Sequence, residues 1–342
     1  MKLLVTGGAG YIGSHTCVVL LEAGHEVTVI DNLCNSSPIA LQRLQQITGR
    51  SVHFVEGDIR NPGHLATALA GGIDAVIHFA ALKAVGKSCE QPLDYFSNNI
   101  GGTIALMQAM EQAGVARLVF SSSATVYGEA ATVPVREDAP LQVSNPYGRS
   151  KLVNEQLIAD WCSSRPEAAA VLLRYFNPVG AHPSGLIGED PQGEPDNLMP
   201  YVAQVAVGRR EHLRIFGSDY PTPDGTGVRD YLHVMDLAKA HLKAVDYAAA
   251  HPGCAAFNLG TGRGYSVLEL VRAFEQASGR PVPHEVTGRR AGDVAEVTAD
   301  PTLANDKLGW AAEHDIHAMS ADTWHWQSAN PNGFRTGPEE AQ

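Results

Sequence analysis

Short apolar runs alternate with stretches of helical period along the first half of the chain. Leu3-Leu4-Val5-Thr6 reads as a strand and leads to a helix-like run from His15 to Ala23. Strand-like runs recur at Glu26–Ile30, Ser51–Glu56, Ala75–Phe79, Arg117–Ser121 and Ala169–Arg174, with helical patterns between them. Strands that alternate with helices predict an α/β fold built on a doubly wound parallel sheet. From about Asn177 the pattern turns irregular and rich in Pro and Gly, most clearly over His182–Pro195. Such a stretch suits substrate-binding loops carried on a rigid scaffold. Tyr231–Val234 and Ala256–Leu259 read as later strands returning to the main sheet.

Between the first strand and the first helix lies Gly7-Gly8-Ala9-Gly10-Tyr11-Ile12-Gly13. Glycines at 7, 10 and 13 fit the first unit of a Rossmann fold: a tight turn, a close approach to a pyrophosphate, and close helix–strand packing. The helix N-terminus then offers free N–H groups and a positive dipole end to phosphate. The next strand ends at Asp31. That carboxylate falls about 20 residues past the loop, where one binds the adenosine ribose, and it repels a 2′-phosphate; NAD is favoured over NADP. The domains expected are a Rossmann-type domain over 1–176, with strands near 229–260 returning to it, and a smaller, mainly substrate-binding domain over 177–342.

Tyr147 and Lys151 lie one helical turn apart, just after Pro146, a helix-start signal. Alone, such a pair reads as a solvated helix face; behind a dinucleotide loop it points to proton and hydride chemistry on an alcohol or ketone. A free phenol ionises near pH ~10, and lowering that by ~3 units takes ~4 kcal/mol of preferential phenolate stabilisation. A neighbouring lysine and a positive nicotinamide both act in that direction.

Composition narrows the picture. No signal peptide is evident and no apolar stretch is long enough to span a membrane. Five cysteines, at 17, 34, 89, 162 and 254, show no metal spacing or disulfide framework, which suits a reducing cytoplasm. A net charge of −12 disfavours nucleic-acid binding and requires a local arginine cluster for an anionic nucleotide. His233 and His241 carry no metal motif, and none is assigned. His78 reads as structural, Asp219 and Asp224 as solvated loop residues, and Trp324 and Trp326 as cover for an apolar surface. No GxSxG supports a hydrolase. The tail from Asn330 to Gln342 is expected to be poorly ordered.

The chain resembles the extended short-chain dehydrogenase/reductases, and in particular the UDP-glucose 4-epimerase family. The matching runs are Thr6–His15, Asp31–Ser36, Gly57–Arg60, Ser121–Gly128, Tyr147–Lys151, Arg174–Ala181, Asn197–Pro200 and Asp224–Tyr231. The resemblance implies a catalytic set of Tyr147, Lys151 and Ser123. Tyr147 moves the proton of the sugar 4-hydroxyl, Ser123 hydrogen-bonds the same oxygen, and Lys151 holds the nicotinamide ribose. It places NAD on Gly7, Gly10, Tyr11, Ile12, Gly13, the run Asp31, Asn32, Leu33, Cys34, Asn35 and Ser36, Asp58 and Ile59 at the adenine. On the nicotinamide side it adds Phe79, Ala80, Ala81, Leu82, Lys83, Asn98 and Phe176. The UDP-hexose falls to Lys83, Ser123 and Tyr147, to Asn177, Asn197 and Leu198, to Arg214, Ile215 and Phe216 at the uracil, and to Arg229, Arg290, Asp293 and Val297. The implied reaction interconverts UDP-galactose and UDP-glucose through a 4-keto sugar, with NAD kept bound. A homodimer is implied, through helices near Pro92–Gly114 and Tyr147–Ser164.

Rival readings stay open: a nucleotide-sugar 4,6-dehydratase, a decarboxylase, or a non-catalytic NAD sensor. The dehydratase uses an Asp-Glu pair where this chain has Ala124 and Thr125, neither of which ionises as a carboxylic acid. Some family members carry a bulky tyrosine at the place of Val297. The smaller valine suggests room for a 2-acetamido group, hence activity on UDP-N-acetylglucosamine and UDP-N-acetylgalactosamine.

Overall fold

The computed structural model describes residues 1–130, 132–290 and 293–335. Its strands are β1 (Lys2–Thr6), β2 (Glu26–Asp31), β3 (His53–Glu56), β4 (Ala75–His78), β5 (Arg117–Ser121), β6 (Ala169–Tyr175), β7 (Asn177–Val179), β8 (Leu213–Phe216), β9 (Val228–His233), β10 (Gly253–Leu259), β11 (Gly264–Ser266), β12 (His284–Thr287) and β13 (Glu296–Val297). The helices used below are α1 (Tyr11–Glu22), α2 (Pro38–Thr48), α3 (Pro62–Leu69), α4 (Val85–Glu90), α5 (Pro92–Tyr95), α6 (Gly102–Ala113), α7 (Pro146–Ser164), α8 (Leu198–Ala206) and α9 (Val234–Ala250). A π-helical turn, Phe96–Gly101, joins α5 to α6.

Seven parallel strands form the main sheet, in the order β10-β6-β5-β4-β1-β2-β3. The order reverses between β1 and β4, the place where doubly wound sheets bind ligands. Strand periodicity feeds two cores at once. Leu3 and Val5 of β1 pack on the face covered by α1, α2 and α9, whereas Leu4 points to the face covered by α3, α6 and α7. A third core, with Val179, Met199, Ile215, Tyr231, Phe274 and Met319, supports the smaller layer.

One expectation is overturned. β9, which contains Tyr231–His233, does not return to the main sheet. It pairs with β7, β11 and β13 in a second sheet. The place beside β6 is taken by β10, as read for Ala256–Leu259. A buried apolar run shows that a strand is enclosed; it does not show which sheet encloses it.

Three smaller readings also change. Trp326 lies in the core instead of covering a surface. Asp224 is no solvated loop residue: it accepts from Ser266 Oγ at 2.5 Å and from Thr226 Oγ1 at 2.7 Å. The first part of the tail is anchored, since Asn330 accepts from Arg43 at 2.6 Å and donates to Gly185 O at 3.0 Å. Residues 336–342 lie outside the described residues. Among the described residues, no helix is long and apolar enough to cross a membrane and no His/Cys/Asp/Glu cluster could hold a metal ion.

Candidate active site

The glycine loop is built as a dinucleotide cradle. Gly7 adopts φ +71°, and a Cβ there would sit 2.8 Å from Ala80 N. A Cβ on Gly13 would run into the Gly7 carbonyl oxygen. Gly10 is the N-cap of α1 without a side-chain cap, which leaves the helix N-terminus open to an anion. Asp31 closes the cradle: its carboxylate accepts from Ala9 N (3.0 Å), Leu33 N (2.9 Å) and Ser36 Oγ (2.8 Å). Leu33 stands at φ +57°, an uncommon conformation for a branched side chain, and is held there by Asp31.

Around this cradle the other predicted cofactor residues take distinct places. Tyr11 donates from its hydroxyl to Gly180 O at 2.7 Å and Ile12 packs against the core. Asn32 donates to Asp58 at 3.2 Å, while Cys34 and Asn35 are exposed on the β2–α2 loop. Hydrogen bonding from Arg60 holds Asp58 well below the usual carboxylate range. The Ile59 side chain is spent in the core, leaving its backbone available. Beyond β4, Phe79 packs against His241, Ala80 N donates to Thr6 Oγ1 at 3.2 Å, and Leu82 N donates to Asn99 Oδ1 at 2.8 Å. Ala81 lies between them. Asn98 donates to Asn99 at 3.0 Å on the π-helical turn.

The residues expected to transfer the proton converge from two elements. Ser121-Ser122-Ser123 follows β5, and Tyr147 and Lys151 stand in the first turns of α7. Pro146 opens that helix, and Asn145 Oδ1 caps it by accepting from Gly148 N at 2.8 Å. Lys151 Nζ lies 5.9 Å from the Tyr147 ring centre and donates to Ser121 O at 2.6 Å. Burial pushes the Tyr147 phenol up to about 12, with a hydrogen bond to Ser123 pulling back. Burial also brings the Lys151 ammonium down to about 7, against the attraction of Glu155. For the phenol, burial outweighs the pull of the Ser123 hydrogen bond. Thr125 Oγ1 donates to Ser123 Oγ at 3.0 Å.

The residues expected to bind substrate gather on the second sheet and its neighbours. Arg229 on β9 pairs in register with Val297 on β13, and Asn177 with Tyr231. Asp293 stands between two guanidinium groups, 3.7 Å from Arg229 Nη2 and 3.6 Å from Arg290 Nε. Arg290 and Arg214 approach the Phe216 ring at 5.5 and 5.9 Å, which puts cations beside an aromatic platform. Ile215 is turned into the third core. Phe176 and Val297 pack with Val126 and Tyr127, under the serine turn. Leu198 opens α8, and Asn197 is its N-cap.

Several residues the sequence reading passed over support this site. Glu155 continues the Tyr147/Lys151 stripe by one more turn; it accepts from Ser122 at 2.5 Å and pairs with Arg174 at 2.6 Å, fully buried. Tyr175 hydrogen-bonds Ser121, and Asn99 braces both Leu82 and Ser150. Glu189 receives Lys83 and Asn197. For Glu155, the i+4 spacing from Lys151 was the available signal.

Comparison with known proteins agrees with this geometry. Residues 3–260 match the model of the NAD dependent epimerase/dehydratase family. The chain is 56% identical to a Bacillus subtilis UDP-glucose 4-epimerase over 98% of its length and 99% of that protein's. It superposes with a TM-score of 0.95 on a Bifidobacterium longum UDP-glucose 4-epimerase solved with NAD+ and UDP, at 50% identity, covering 98% and 100% of the two chains. A Stenotrophomonas maltophila UDP-glucose-4-epimerase, solved with bound NAD and formylated UDP-arabinopyranose, also gives 0.95, at 53% identity over 97% and 99%. The chain belongs to the NAD dependent epimerase/dehydratase family, and its full-length likeness is to the UDP-glucose 4-epimerases of that family.

Proposed function

We propose that the chain interconverts UDP-galactose and UDP-glucose with a resident NAD. The observation that carries this reading is the grouping of Ser123, Tyr147 and Lys151 after β5, two strands along the parallel sheet from β1, which leads into the glycine cradle closed by Asp31. NAD supplies the hydride acceptor and donor at C4 of the sugar. Tyr147 takes the proton of the 4-hydroxyl as the 4-keto sugar forms and returns it when the opposite face is reduced. Ser123, oriented by Thr125, hydrogen-bonds the same oxygen. Lys151 anchors to Ser121 and would hold the cofactor ribose. Arg229 and Arg290 hold the diphosphate, with Asp293 on the uridine ribose; guanidinium matches phosphate oxygens in a planar fork. Ala124 and Thr125 leave the serine turn without the acid pair that elimination needs. Product analysis after incubation with UDP-galactose tests the reading. UDP-glucose is the expected product; a UDP-4-keto-6-deoxy sugar, or no UDP-glucose while UDP-glucuronate loses CO2 to give a UDP-pentose, would overturn it.

Val297 supports a wider substrate range. It is small, only partly buried, and in register with Arg229. We expect conversion of UDP-N-acetylglucosamine as well, and loss of that activity first in Val297→Tyr. Rates at background for both acetylated sugars would sink the idea.

Two further assignments belong to the same reading. A homodimer is supported by Leu93, 77% exposed, and Ile104, 40% exposed, near the face of α5, α6 and α7. Light scattering at twice the chain mass is the expected result. A reducing, cytoplasmic setting is supported by the five free cysteines.

A further inference from the structure

Glu189 lies on the irregular segment between β7 and α8, beside Lys83 and Asn197, both expected to meet the substrate. Its Oε1 atom accepts from Lys83 Nζ at 2.9 Å and from Asn197 Nδ2 at 3.1 Å. The two donors come from different layers: Lys83 follows β4 of the main sheet, and Asn197 precedes α8 of the smaller one. One carboxylate oxygen has two lone pairs, so this pair of donors fills it.

Two observations show that the arrangement is built. Asn197 occupies an N-cap position, where asparagine normally accepts from the first free helix amides, yet its side chain makes no capping bond. Its amide donates to Glu189 instead. A local rule broken at a binding site is where function is to be sought.

The backbone around Glu189 is also pinned independently of its carboxylate. Gly188 lies so close to the Trp326 indole that a Cβ there would overlap the ring. Glu189 O accepts from Trp326 Nε1 at 3.4 Å, and Asp190 accepts from Phe334 N at 2.9 Å. The fold therefore places the carboxylate, and the carboxylate places Lys83 and Asn197. Its side chain is 9% exposed, so the Lys83 charge also offsets the cost of enclosing the anion.

We infer that Glu189 is a positioning residue for the sugar–diphosphate, fixing Lys83 and Asn197 at one spacing across the two layers. This rests on the proposed UDP-hexose reading. It acts on substrate through its partners and takes no part in proton transfer.

The test compares wild type, Glu189→Ala, Glu189→Gln and Asn197→Ala, plus the Glu189→Ala/Asn197→Ala double variant, all as full-length protein with resident NAD. The readouts are KM and kcat for UDP-galactose, UDP affinity by calorimetry, NAD content and thermal midpoint. Glu189→Ala is expected to raise KM by about tenfold or more, the loss of a charge-assisted contact, with NAD content and midpoint close to wild type. Glu189→Gln should fall between, because the amide still accepts from Asn197 but lacks the charge for Lys83. Asn197→Ala should cost much less in the Glu189→Ala background than in wild type. An unchanged KM, or equal cost of Asn197→Ala in both backgrounds, would overturn the inference. So would loss of NAD and a large midpoint drop in both Glu189 variants, which would assign the carboxylate to the fold. If wild type converts no UDP-galactose, the functional reading fails, and the UDP affinities still decide the coupling between Glu189 and Asn197.

Discussion

The Lys151 ammonium donates to the Ser121 carbonyl at 2.6 Å, two residues before the Ser123 hydroxyl. One side chain thus ties the first turns of α7 to the serine turn. Burial brings that ammonium down to about 7. A lysine depressed in the folded state weighs against folding as pH falls, because the unfolded chain takes up the proton more readily. Lys151→Met removes this burden at similar volume. The thermal midpoint at pH 7 should be equal or higher, while kcat falls on the order of 10²-fold or more. Calorimetry and initial rates check both halves. A less stable but active variant would contradict the assignment.

Burial pushes the Tyr147 phenol up to about 12, so its ionised form grows as pH rises. The acid side of the kcat/KM profile should therefore climb with pH. Tyr147→Phe should lower the rate by about 10²- to 10⁴-fold, the usual range for a general acid–base group, and abolish that limb. NAD content should remain as in wild type. A pH-rate series on both proteins is the check.

Gly10 and Gly13 separate binding from folding. A Cβ on Gly13 would meet the Gly7 carbonyl and the Gly8 backbone, whereas on Gly10 the nearest atom is 3.3 Å away. Gly13→Ala should cost about 1–3 kcal/mol of stability, as overpacking does, and lose NAD with it. Gly10→Ala should keep most of its stability and lose NAD alone, since only the approach to the pyrophosphate is blocked. Thermal midpoints beside bound-NAD content distinguish the two.

His241 is buried between Phe79 and Tyr175; among the described residues it bonds only Leu237 O, and its Nε2 has no partner. Burial brings it down to about 4. The folded ring is therefore neutral where the unfolded one protonates. Stability should be full above the unfolded value near 6.5 and decline as pH falls toward 4, at most about 1.4 kcal/mol per pH unit for one group. His15 and His78, both held near about 3, steepen the same decline. His241→Leu should flatten it, as denaturation at pH 7.5 and 5 will show.

What the sequence disclosed follows from the range of each constraint. The cradle was legible because Gly7, Gly10 and Gly13 answer to steric demands within one turn, and Asp31 to a strand end nearby. Tyr147 and Lys151 were legible because a helix fixes the distance between them. The sheet that receives Val228–His233 was not: its apolar run is the same whichever neighbours enclose it. Glu189 and Asn99 were hidden for the same reason, since their partners lie far along the chain. The burial around Tyr147 was not legible either, because burial is a tertiary quantity that no spacing reveals.

The most direct measurement follows UDP-galactose with the purified protein, first without added cofactor and then with NAD. The account predicts UDP-glucose in both, with NAD carried through purification. Conversion only on addition of NAD would keep the chemistry and contradict the resident cofactor. No UDP-glucose in either case, with NAD bound, would contradict the central claim.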